Sequence, residues 1–221
     1  MMKFDELNVM WIGQMELSAE EKLVRIEMIS AFETELNKVF PSMRQRAEED
    51  KERFTLFSAV YSAIISSVFI QLVNEYFRRC VNLHTDKTGD ISDYSRKWLE
   101  MRSQQLSKEI LYTTQNYVDN NRLDNAFSQS RARTISRTEI NSLCECAALE
   151  GYYQSGYTQK KWKSFKDEKT RETHRTADGQ IRNLFEPFSV GDSLLMFPQD
   201  SSLGASAKEI VNCRCIMLPV I

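Results

Sequence analysis

Glycine, proline, cysteine and histidine are all scarce in this sequence of 221 residues, which has 7, 4, 5 and 2 of them. So few glycines and prolines exclude collagen-like and low-complexity disordered chains. An odd number of cysteines without regular spacing does not fit a small secreted scaffold held by disulfides, so we expect folding in a reducing compartment. Residues 1–17 lack a cleavage-like pattern of small residues and carry early acids, so no secretory signal is predicted.

The sequence also has no large excess of positive or negative charge, and its net charge is −2. That balance excludes a strong overall attraction to nucleic acid or to a membrane surface. The distribution is uneven, however, because residues 1–60 carry 8 basic and 12 acidic side chains, whereas residues 131–182 carry 11 basic and 7 acidic ones. We therefore expect an anionic partner, if there is one, to contact the second half of the chain.

Long uncharged runs are absent except for the 19 residues of Thr55–Val73. This length approaches the ~20 residues that a membrane-spanning helix needs. The run nevertheless contains four serines, a threonine and a glutamine, and its small residues suit close helix packing. We favour a buried helix of a soluble protein, and a segment that enters a membrane is the alternative.

The patterns present in the first half are mostly helical. Ser18 and Glu21 have the S-x-x-E spacing of a helix capping box. Apolar residues then recur with helical spacing, and Pro41 predicts a break or the first turn of another helix. A long helix is expected over residues 42–81, followed by a polar loop and a further amphipathic helix.

The second half has a different character. Residues 130–156 predict a helix that ends at glycines, and the "YTQKKWKSFK" that follows is typical of a strand. Asp167 could cap a short helix that contains His174, and short apolar pieces between turn residues predict small strands toward the C-terminus. We predict an α+β fold, with a helical docking or oligomerisation region over residues 1–127 and a small mixed domain with few short strands over residues 128–221.

Two pairs of cysteines have C-x-C spacing, Cys144 with Cys146 and Cys213 with Cys215. On a helix, residues two apart point roughly 200° apart, so Cys144 and Cys146 cannot share a ligand, and we expect one to be buried and the other less so. On a strand, residues two apart share a face. Cys213 and Cys215 would then present both sulfurs together and direct Arg214 to the other side.

Several explanations of Cys213 and Cys215 are open. Extended Cα atoms two residues apart lie roughly 6.5–7 Å from each other, at the edge of what a disulfide allows, so a disulfide between them is not expected. Plain burial is the simplest interpretation. A shared zinc ion is the next, with His174 as a third ligand and Asp178 or another cysteine as the fourth. A Cys–His nucleophile pair would need His174 within hydrogen-bond reach and an oxyanion site.

Four pieces of the second half, in this order, resemble one protein family. They are "RARTISRTEINSL", "GYTQKKWKSFKDEKTRETHRTADGQ", "FSVGDSLLMFPQD" and "NCRC". Together they are similar to the C-terminal domain of the phage Mu F-like minor head proteins, also called phage head morphogenesis proteins. The resemblance covers residues 131–215, and we recognise no motif in residues 1–127.

The residues that match the family pattern are spread over this region. They are Arg133, Arg137, Thr138, Glu139, Lys161, Trp162, Asp167, Thr170, Arg171, His174, Asp178, Gly179, Pro198, Asp200, Asn212, Cys213 and Cys215. Ser136, Lys169 and Phe197 stand where alanine, arginine and tyrosine are usual. None of these departures removes a charged or sulfur-bearing motif residue.

The resemblance implies a structural protein of a tailed phage and not an enzyme. Such proteins are present at low copy in the head, associate with the portal protein and other head proteins, and act in head assembly and in DNA packaging or ejection. The implied location is the virion, inside the capsid near the portal, and the host cytoplasm during assembly. The alternatives are an enzyme or toxin-like domain that uses His174, Cys213 or Cys215, and an ejected protein that engages the host membrane through residues 55–73.

The charged motif residues have a structural and a catalytic interpretation. Arg171 and His174 would share a face of a short helix, with Asp178 placed by a turn to orient the imidazole or to bind beside it. We favour a buried hydrogen-bond network, with or without zinc at its centre, that fixes the shape of a small domain. Its other members would be Arg133, Arg137, Glu139 and Asp167.

The basic run "KKWKSFK" interleaves lysines with aromatic residues. This composition suits phosphate contacts combined with aromatic stacking. The plainer alternative is a solvated strand face whose aromatic side lies in the core. The first interpretation predicts electrostatic, sequence-independent contacts with packaged double-stranded DNA from Lys160, Lys161, Lys163 and Lys166.

Overall fold

The structure, a computed structural model, describes the backbone of residues 4–221 and the side chains of residues 6–52 and 54–221. Residues 1–3 of the predicted helical region, which also begin the stretch judged for a secretory signal, lie outside the described residues. The helices are α1 (Phe4–Gly13), α2 (Ala19–Glu49), α3 (Lys51–Leu56), α4 (Ser58–Asn82), α5 (Asp93–Asp119), α6 (Leu123–Ala126), α7 (Gln129–Ser155), α8 (Glu172–Ala177) and α9 (Ala207–Ile210). The strands are β1 (Gln159–Lys163), β2 (Ile181–Asn183), β3 (Phe188–Val190), β4 (Ser193–Leu195) and β5 (Ile216–Val220).

Seven helices precede the first strand in the described residues, and the strands that follow are short, which confirms the α+β class. β1 lies at the centre of a three-stranded sheet with the order β2-β1-β5 and pairs antiparallel with both neighbours. β3 and β4 form a separate hairpin. Gly191 lies in its turn at φ 57°, a conformation that costs glycine little because it has no Cβ.

α2 begins as predicted but continues further than predicted. Ser18 Oγ accepts a hydrogen bond from the Glu21 N–H at 3.2 Å, and the Glu21 carboxylate accepts one from the Ser18 N–H at 2.9 Å, which completes the capping box. The predicted break at Pro41 is wrong, because the helix runs through it. Phe40 and Met43, on either side, are buried in the same core, and their burial outweighs the loss of one backbone hydrogen bond.

The single long helix predicted over residues 42–81 is also wrong, because three helices share this stretch. Asp50 has an extended backbone at φ −165° and ends α2, and its carboxylate accepts a hydrogen bond from the Glu52 N–H at 2.9 Å within α3. Phe57 then separates α3 from α4. An aspartate that bonds its own neighbouring backbone competes with helix continuation, and the spacing of apolar residues does not reveal this.

α7 is the central helix of the fold. It packs against α2 and α4, and all residues from 138 to 152 are buried. The helix runs through Gly151, where a Cβ would stand only 2.5 Å from the His84 Cβ, and ends at Gly156 in a left-handed conformation. One apolar core therefore extends across the position where the sequence suggested a domain boundary.

Both cysteines of α7 are buried, so the expectation that one of them would be less buried is wrong. Cys144 Sγ lies 3.9 Å from Cys80 Sγ of α4, and Cys146 lies beside Ser95 of α5. A central helix has no solvent face in this part of its length, so helical spacing could not distinguish the two. All five cysteines of the chain are free thiols.

α4 is only partly buried, which corrects the expectation of a buried helix over residues 55–73. Its inward side carries Tyr61, Ile65 and Phe69. A neighbouring set of apolar side chains, referred to below as the α4 face, is between 39% and 78% exposed: Leu56, Phe57, Val60, Ile64 and Ile70. Among the described helices, α4 alone is long and apolar enough to cross a membrane, by length and composition only.

Candidate metal centre

The chain turns after α9 so that two sulfurs face the same place. Asn212 adopts a left-handed conformation at φ 53°, which asparagine tolerates better than most residues. The Cys213 N–H donates to the Ile210 carbonyl, and the Cys213 carbonyl accepts from Gln199 Nε2 at 2.6 Å. Cys215 is the last residue before β5, so neither cysteine lies in a strand, which was the condition for the strand-based arrangement of the two sulfurs.

α8 brings an imidazole to these sulfurs. His174 Nδ1 lies 3.3 Å from Cys215 Sγ and 3.4 Å from Cys213 Sγ. His174 Nε2, on the opposite edge of the ring, lies 3.2 Å from Glu209 Oε2, and Thr173 Oγ1 donates to the same oxygen at 2.7 Å. His174, Cys213, Cys215 and Glu209 are each 2% exposed, and we refer to these four residues as the thiol cluster.

Glu209 determines which ring nitrogen of His174 carries the proton. A carboxylate oxygen only accepts hydrogen bonds, so the Nε2 atom that faces it is the protonated one. The Nδ1 atom then presents its lone pair to both sulfurs. A carboxylate behind the imidazole is the arrangement that orients most metal-binding histidines in proteins.

The two thiols of the cluster do not ionise equally. Burial alone would raise the pKa of Cys213, but the contacts of its sulfur, among them hydrogen bonds from the Cys215 side chain and backbone N–H, outweigh burial and lower that pKa. The pKa of Cys215 is raised, first because its thiol is hydrogen-bonded to Cys213 and second because it is buried.

A cavity of about 20 Å³ adjoins the cluster and is lined by His174 and both cysteines, among others. A space of this size holds one water molecule. Trp162 closes another side of the imidazole, with its ring packed edge-on at 5.7 Å between centroids. The surroundings therefore suit an ion with a small ligand and leave no room for an organic substrate.

Asp178, the predicted fourth ligand, is engaged elsewhere. Its carboxylate accepts from the Ser164 N–H at 2.8 Å and pairs with Lys166 Nζ, also at 2.8 Å. It neither contacts the His174 ring nor belongs to the group of donor atoms that converge there. Asp178, in the turn after α8, therefore stabilises the end of β1 through the Ser164 N–H.

Asp167 and Arg171 stabilise the chain around the cluster without joining it. α8 begins after Arg171, so Asp167 does not cap this helix, and Arg171 does not share a helical face with the histidine. Asp167 accepts two hydrogen bonds from Arg214, at 2.6 and 2.7 Å, and Arg171 donates to the Val211 carbonyl. Arg214 thus pairs with Asp167 at the edge of the small cavity beside the cluster.

The charged motif residues of α7 contact other helices and not the thiol cluster, while Thr138 Oγ1 accepts from the Asn212 N–H at 3.2 Å. Arg137 donates to the Leu7 carbonyl at 2.6 Å and to Asn8 Oδ1 at 3.0 Å. Arg133 pairs with Glu33 of α2 at 3.1 Å. The single buried network that the sequence suggested is therefore divided between two places.

Ion pairs join α7 to its neighbours along its length. Arg102 of α5 pairs with Glu139 at 2.7 Å, and Arg25 of α2 pairs with Glu145 at 2.7 Å. The Glu145 carboxylate also accepts a hydrogen bond from the Met217 N–H, and this contact joins β5 to α7. We refer to the three pairs Arg133–Glu33, Arg102–Glu139 and Arg25–Glu145 as the α7 seam.

β1 places the lysines of the basic run on two different faces. Lys160 is fully buried, and its Nζ donates to the Met196 carbonyl at 2.6 Å, so the predicted DNA contact of Lys160 is wrong. Alternation along a strand gives Lys160 the same face as Trp162, which belongs to the core. Lys161 is exposed, and Lys163 pairs with Glu16 at 3.2 Å.

Glu209 was not among the predicted site residues, although it is part of the thiol cluster. It lies four residues before Cys213 in a helix of four residues, too short to give a periodic signal. Asp200 matched the family pattern without an assigned role. Its buried carboxylate accepts from Trp98 Nε1 at 3.0 Å and from the Met196 N–H at 3.1 Å, so it anchors α5 to the loop after β4.

Comparison with known proteins gives a family and one curated relative. The family described as "Phage Mu protein F like protein" matches residues 99–218, which include the thiol cluster and all of α7. The "Uncharacterized protein YqbB" of Bacillus subtilis (strain 168) is 37% identical over 100 residues, which cover 43% of this chain and 32% of that protein. The match thus spans about a third of the length of this relative. No solved structure matches the chain.

Proposed function

The chain belongs to the phage Mu protein F-like family, and from this membership we propose that it is a minor structural protein of the phage head, bound at or near the portal. Membership makes it a protein of phage head morphogenesis that is associated with the virion and with other head proteins. The proposal adds a position inside the capsid, assembly in the host cytoplasm, and a role in packaging or ejecting DNA. The family match, which covers more than half of the chain, carries it.

The α4 face is the surface that we assign to the portal protein. It lies in residues 56–70, outside the matched range of 99–218, so it is a feature of the helical region alone. Its exposed apolar side chains extend from the end of α3 into the first half of α4, and the run from Thr55 to Val73 contains no charged residue. Apolar helix surfaces of this kind bind apolar grooves of partner proteins.

A structural role also agrees with the surroundings of the thiol cluster. An enzyme that used His174 with Cys213 or Cys215 would need space for its substrate beside these groups. The adjoining cavity of about 20 Å³ accepts a water molecule and no more. We therefore assign the cluster to the stability of the domain and not to catalysis.

Packaged DNA would meet the outward face of β1 in this arrangement. Lys161, Lys163 and Lys166 remain as predicted phosphate contacts, while two of them also pair with carboxylates of this chain. Phosphate contacts of this kind are electrostatic, so the expected affinity falls steeply as salt rises. Retention on heparin or DNA columns, compared between the chain and its Lys161→Ala variant, tests this part of the proposal.

The test of the docking surface uses heads purified from the phage or prophage that encodes the chain. The double change Val60→Asp and Ile64→Asp places two charges in the α4 face, and Leu23→Asp places one on α2 at an equally exposed apolar position. Quantitative mass spectrometry of the heads is expected to show at least a tenfold loss of the double variant relative to the portal protein, since charged groups resist burial in an apolar interface. The Leu23→Asp variant is expected at the wild-type level.

Binding to the purified portal protein, followed by size-exclusion chromatography, gives the second measurement. Incorporation and portal binding of the double variant at wild-type levels would overturn the assignment of the α4 face. The length and hydropathy of α4 favour a membrane as the competing partner. If anionic lipid vesicles bound the wild-type chain and the double variant lost this binding, while portal binding was unchanged, the face would belong to the membrane and the portal assignment would be wrong.

A further inference from the structure

We propose that His174, Cys213 and Cys215 bind one zinc ion, with Glu209 as the carboxylate that orients the imidazole. This inference does not depend on the position of the protein in the phage head. It rests on the kinds of atoms that converge, on the distances between them and on their burial.

The converging atoms are all electron-pair donors. The Nδ1 lone pair of His174 and the two sulfurs lie within 4.8 Å of one another, and all three residues are buried. In the α7 seam, by contrast, buried carboxylates face guanidinium groups, as in the pair between Arg25 and Glu145. In the thiol cluster the Nδ1 atom and both sulfurs instead face one another, and a dication at their centre is a partner that all three could bind at once.

The distances agree with a tetrahedral ion. Zinc binds sulfur at about 2.3 Å and nitrogen at about 2.0 Å, so the nitrogen and each sulfur of one site lie roughly 3.5 Å apart. The observed separations between His174 Nδ1 and the sulfurs of Cys215 and Cys213 are 3.3 and 3.4 Å. A small outward movement of these side chains is enough to admit the ion.

The surrounding groups are those that a metal site requires. Glu209 Oε2 accepts the Nε2–H of His174, and Thr173 Oγ1 holds that carboxylate oxygen in place. Such outer partners raise the basicity of the imidazole and fix its direction. The adjoining cavity of about 20 Å³ has room for the water molecule that completes four-coordination.

Zinc is favoured over other cations by the ligand set. Two thiolates and an imidazole are soft and borderline donors, which exclude calcium and magnesium as partners. The closed surroundings and the absence of room for a substrate suit an ion that joins α8 to the segment before β5. Binding releases protons, because both cysteines must be thiolates in the complex.

The first experiment measures the metal content of the full chain, purified under reducing conditions without chelators, by inductively coupled plasma mass spectrometry. We expect about one zinc per chain. Titration of the metal-free protein with Co²⁺ provides an optical readout, because bound thiolates give a charge-transfer band whose intensity reports their number. Two thiolates are expected in a tetrahedral complex.

Three variants test the ligands and a fourth serves as a matched control. Cys213→Ser and Cys215→Ser are each expected either to bind no ion or to give a cobalt charge-transfer band whose intensity corresponds to one thiolate. Glu209→Gln keeps an acceptor for the imidazole but removes the charge, so we expect a 10- to 100-fold weaker affinity. Cys144→Ala removes a buried cysteine of the other pair and is expected to bind zinc like the wild type.

The outcomes that overturn the proposal are equally definite. A folded wild-type chain that contains no metal, takes up no zinc and gives no thiolate band with Co²⁺ does not have this site. The same conclusion follows if Cys213→Ser and Cys215→Ser, shown to be folded by circular dichroism, retain the ion and both thiolate bands. If these variants do not fold, the cobalt spectrum of the wild type and the affinity of Glu209→Gln still decide the question.

Discussion

The α7 seam and the thiol cluster both bury polar side chains, but they balance charge in different ways. In the seam, each buried carboxylate faces a guanidinium group of another helix, as Glu139 faces Arg102 at 2.7 Å. In the cluster, a buried imidazole and two sulfurs converge, with a carboxylate behind the imidazole, and the three converging donors suit a cation from solution. The difference shows that buried polar groups indicate a ligand only when the protein does not itself supply the opposite charge.

The first prediction breaks the balance of the seam and has the largest expected effect. Arg102→Met leaves the buried Glu139 without its cation and is expected to lower the free energy of unfolding by about 3–5 kcal/mol. The double change Arg102→Met and Glu139→Leu removes both charges and is expected to recover most of the loss. Urea unfolding measures both.

Glu109→Gln is the matched control for this pair. Glu109 also pairs with Arg102, at 2.8 Å, but its side chain is 53% exposed, so its loss is expected to cost less than about 1 kcal/mol. If the Arg102→Met and Glu139→Leu double variant were as unstable as Arg102→Met alone, the seam would be stabilised by packing around these side chains and not by charge balance.

The second prediction withdraws the proposed cation from the cluster. At a free zinc concentration a thousandfold above the dissociation constant, binding to the folded state adds about 4 kcal/mol to the free energy of unfolding, and a chelator removes this gain. The Glu109→Gln variant is expected to show the same gain, because Glu109 pairs with Arg102 and belongs to no part of the thiol cluster. A free energy of unfolding that is the same with zinc and with chelator would contradict the difference between the two regions.

The third prediction concerns Lys160, a buried cation whose ammonium donates to a carbonyl. Burial lowers its pKa to about 7, although the charge of Asp200 acts in the opposite direction. The unfolded chain therefore binds more protons than the folded one between pH 7 and the ordinary pKa of about 10.4, and stability rises with pH in this window, by up to about 1.4 kcal/mol per pH unit.

Lys160→Met is the variant that isolates this effect. It retains most of the buried volume but has no proton to lose, so the wild type is expected to gain stability relative to this variant as the pH rises above 7. Urea unfolding between pH 6 and pH 9 provides the measurement. A difference independent of pH would show that Lys160 remains charged in the folded protein.

The fourth prediction has the smallest expected effect and tests the edge of the cluster. Asp167→Asn weakens the bidentate contact with Arg214, which lies between the two cysteines in the chain. Because Asp167 is partly exposed, we expect stability to fall by no more than about 1 kcal/mol and zinc content to stay unchanged. Loss of zinc from this variant would mean that Arg214 is needed to position the sulfurs.

Several parts of the fold could be predicted from local sequence because short-range physics decides them. The capping box of Ser18 and Glu21 joins atoms three residues apart, and Gly156 ends α7 because glycine accepts a left-handed conformation. The buried position of Lys160 was also accessible, since strand alternation pairs it with Trp162. The basic composition of that run concealed this signal.

Other features could not be predicted because they depend on distant neighbours. α2 continues through Pro41 because burying the apolar residues on both sides of it stabilises the helix more than the loss of one backbone hydrogen bond destabilises it. Cys144 and Cys146 are both buried because α7 is surrounded by other elements. Asp178 is drawn to Ser164 and Lys166, and no spacing in the sequence distinguishes that contact from one with the histidine.

By itself, the sequence determined the α+β class, the family, and which residue types stand near the C-terminus, since composition, periodicity and motifs are local properties. Tertiary structure alone decided that His174 meets sulfurs 39 and 41 residues away, and that Glu209 stands behind the imidazole. It also decided that the arginines and the glutamate of the α7 motif contact the N-terminal helices. The physical reason is that a buried polar group is stable only beside a partner of suitable charge, and the packing of the whole chain determines which groups become neighbours.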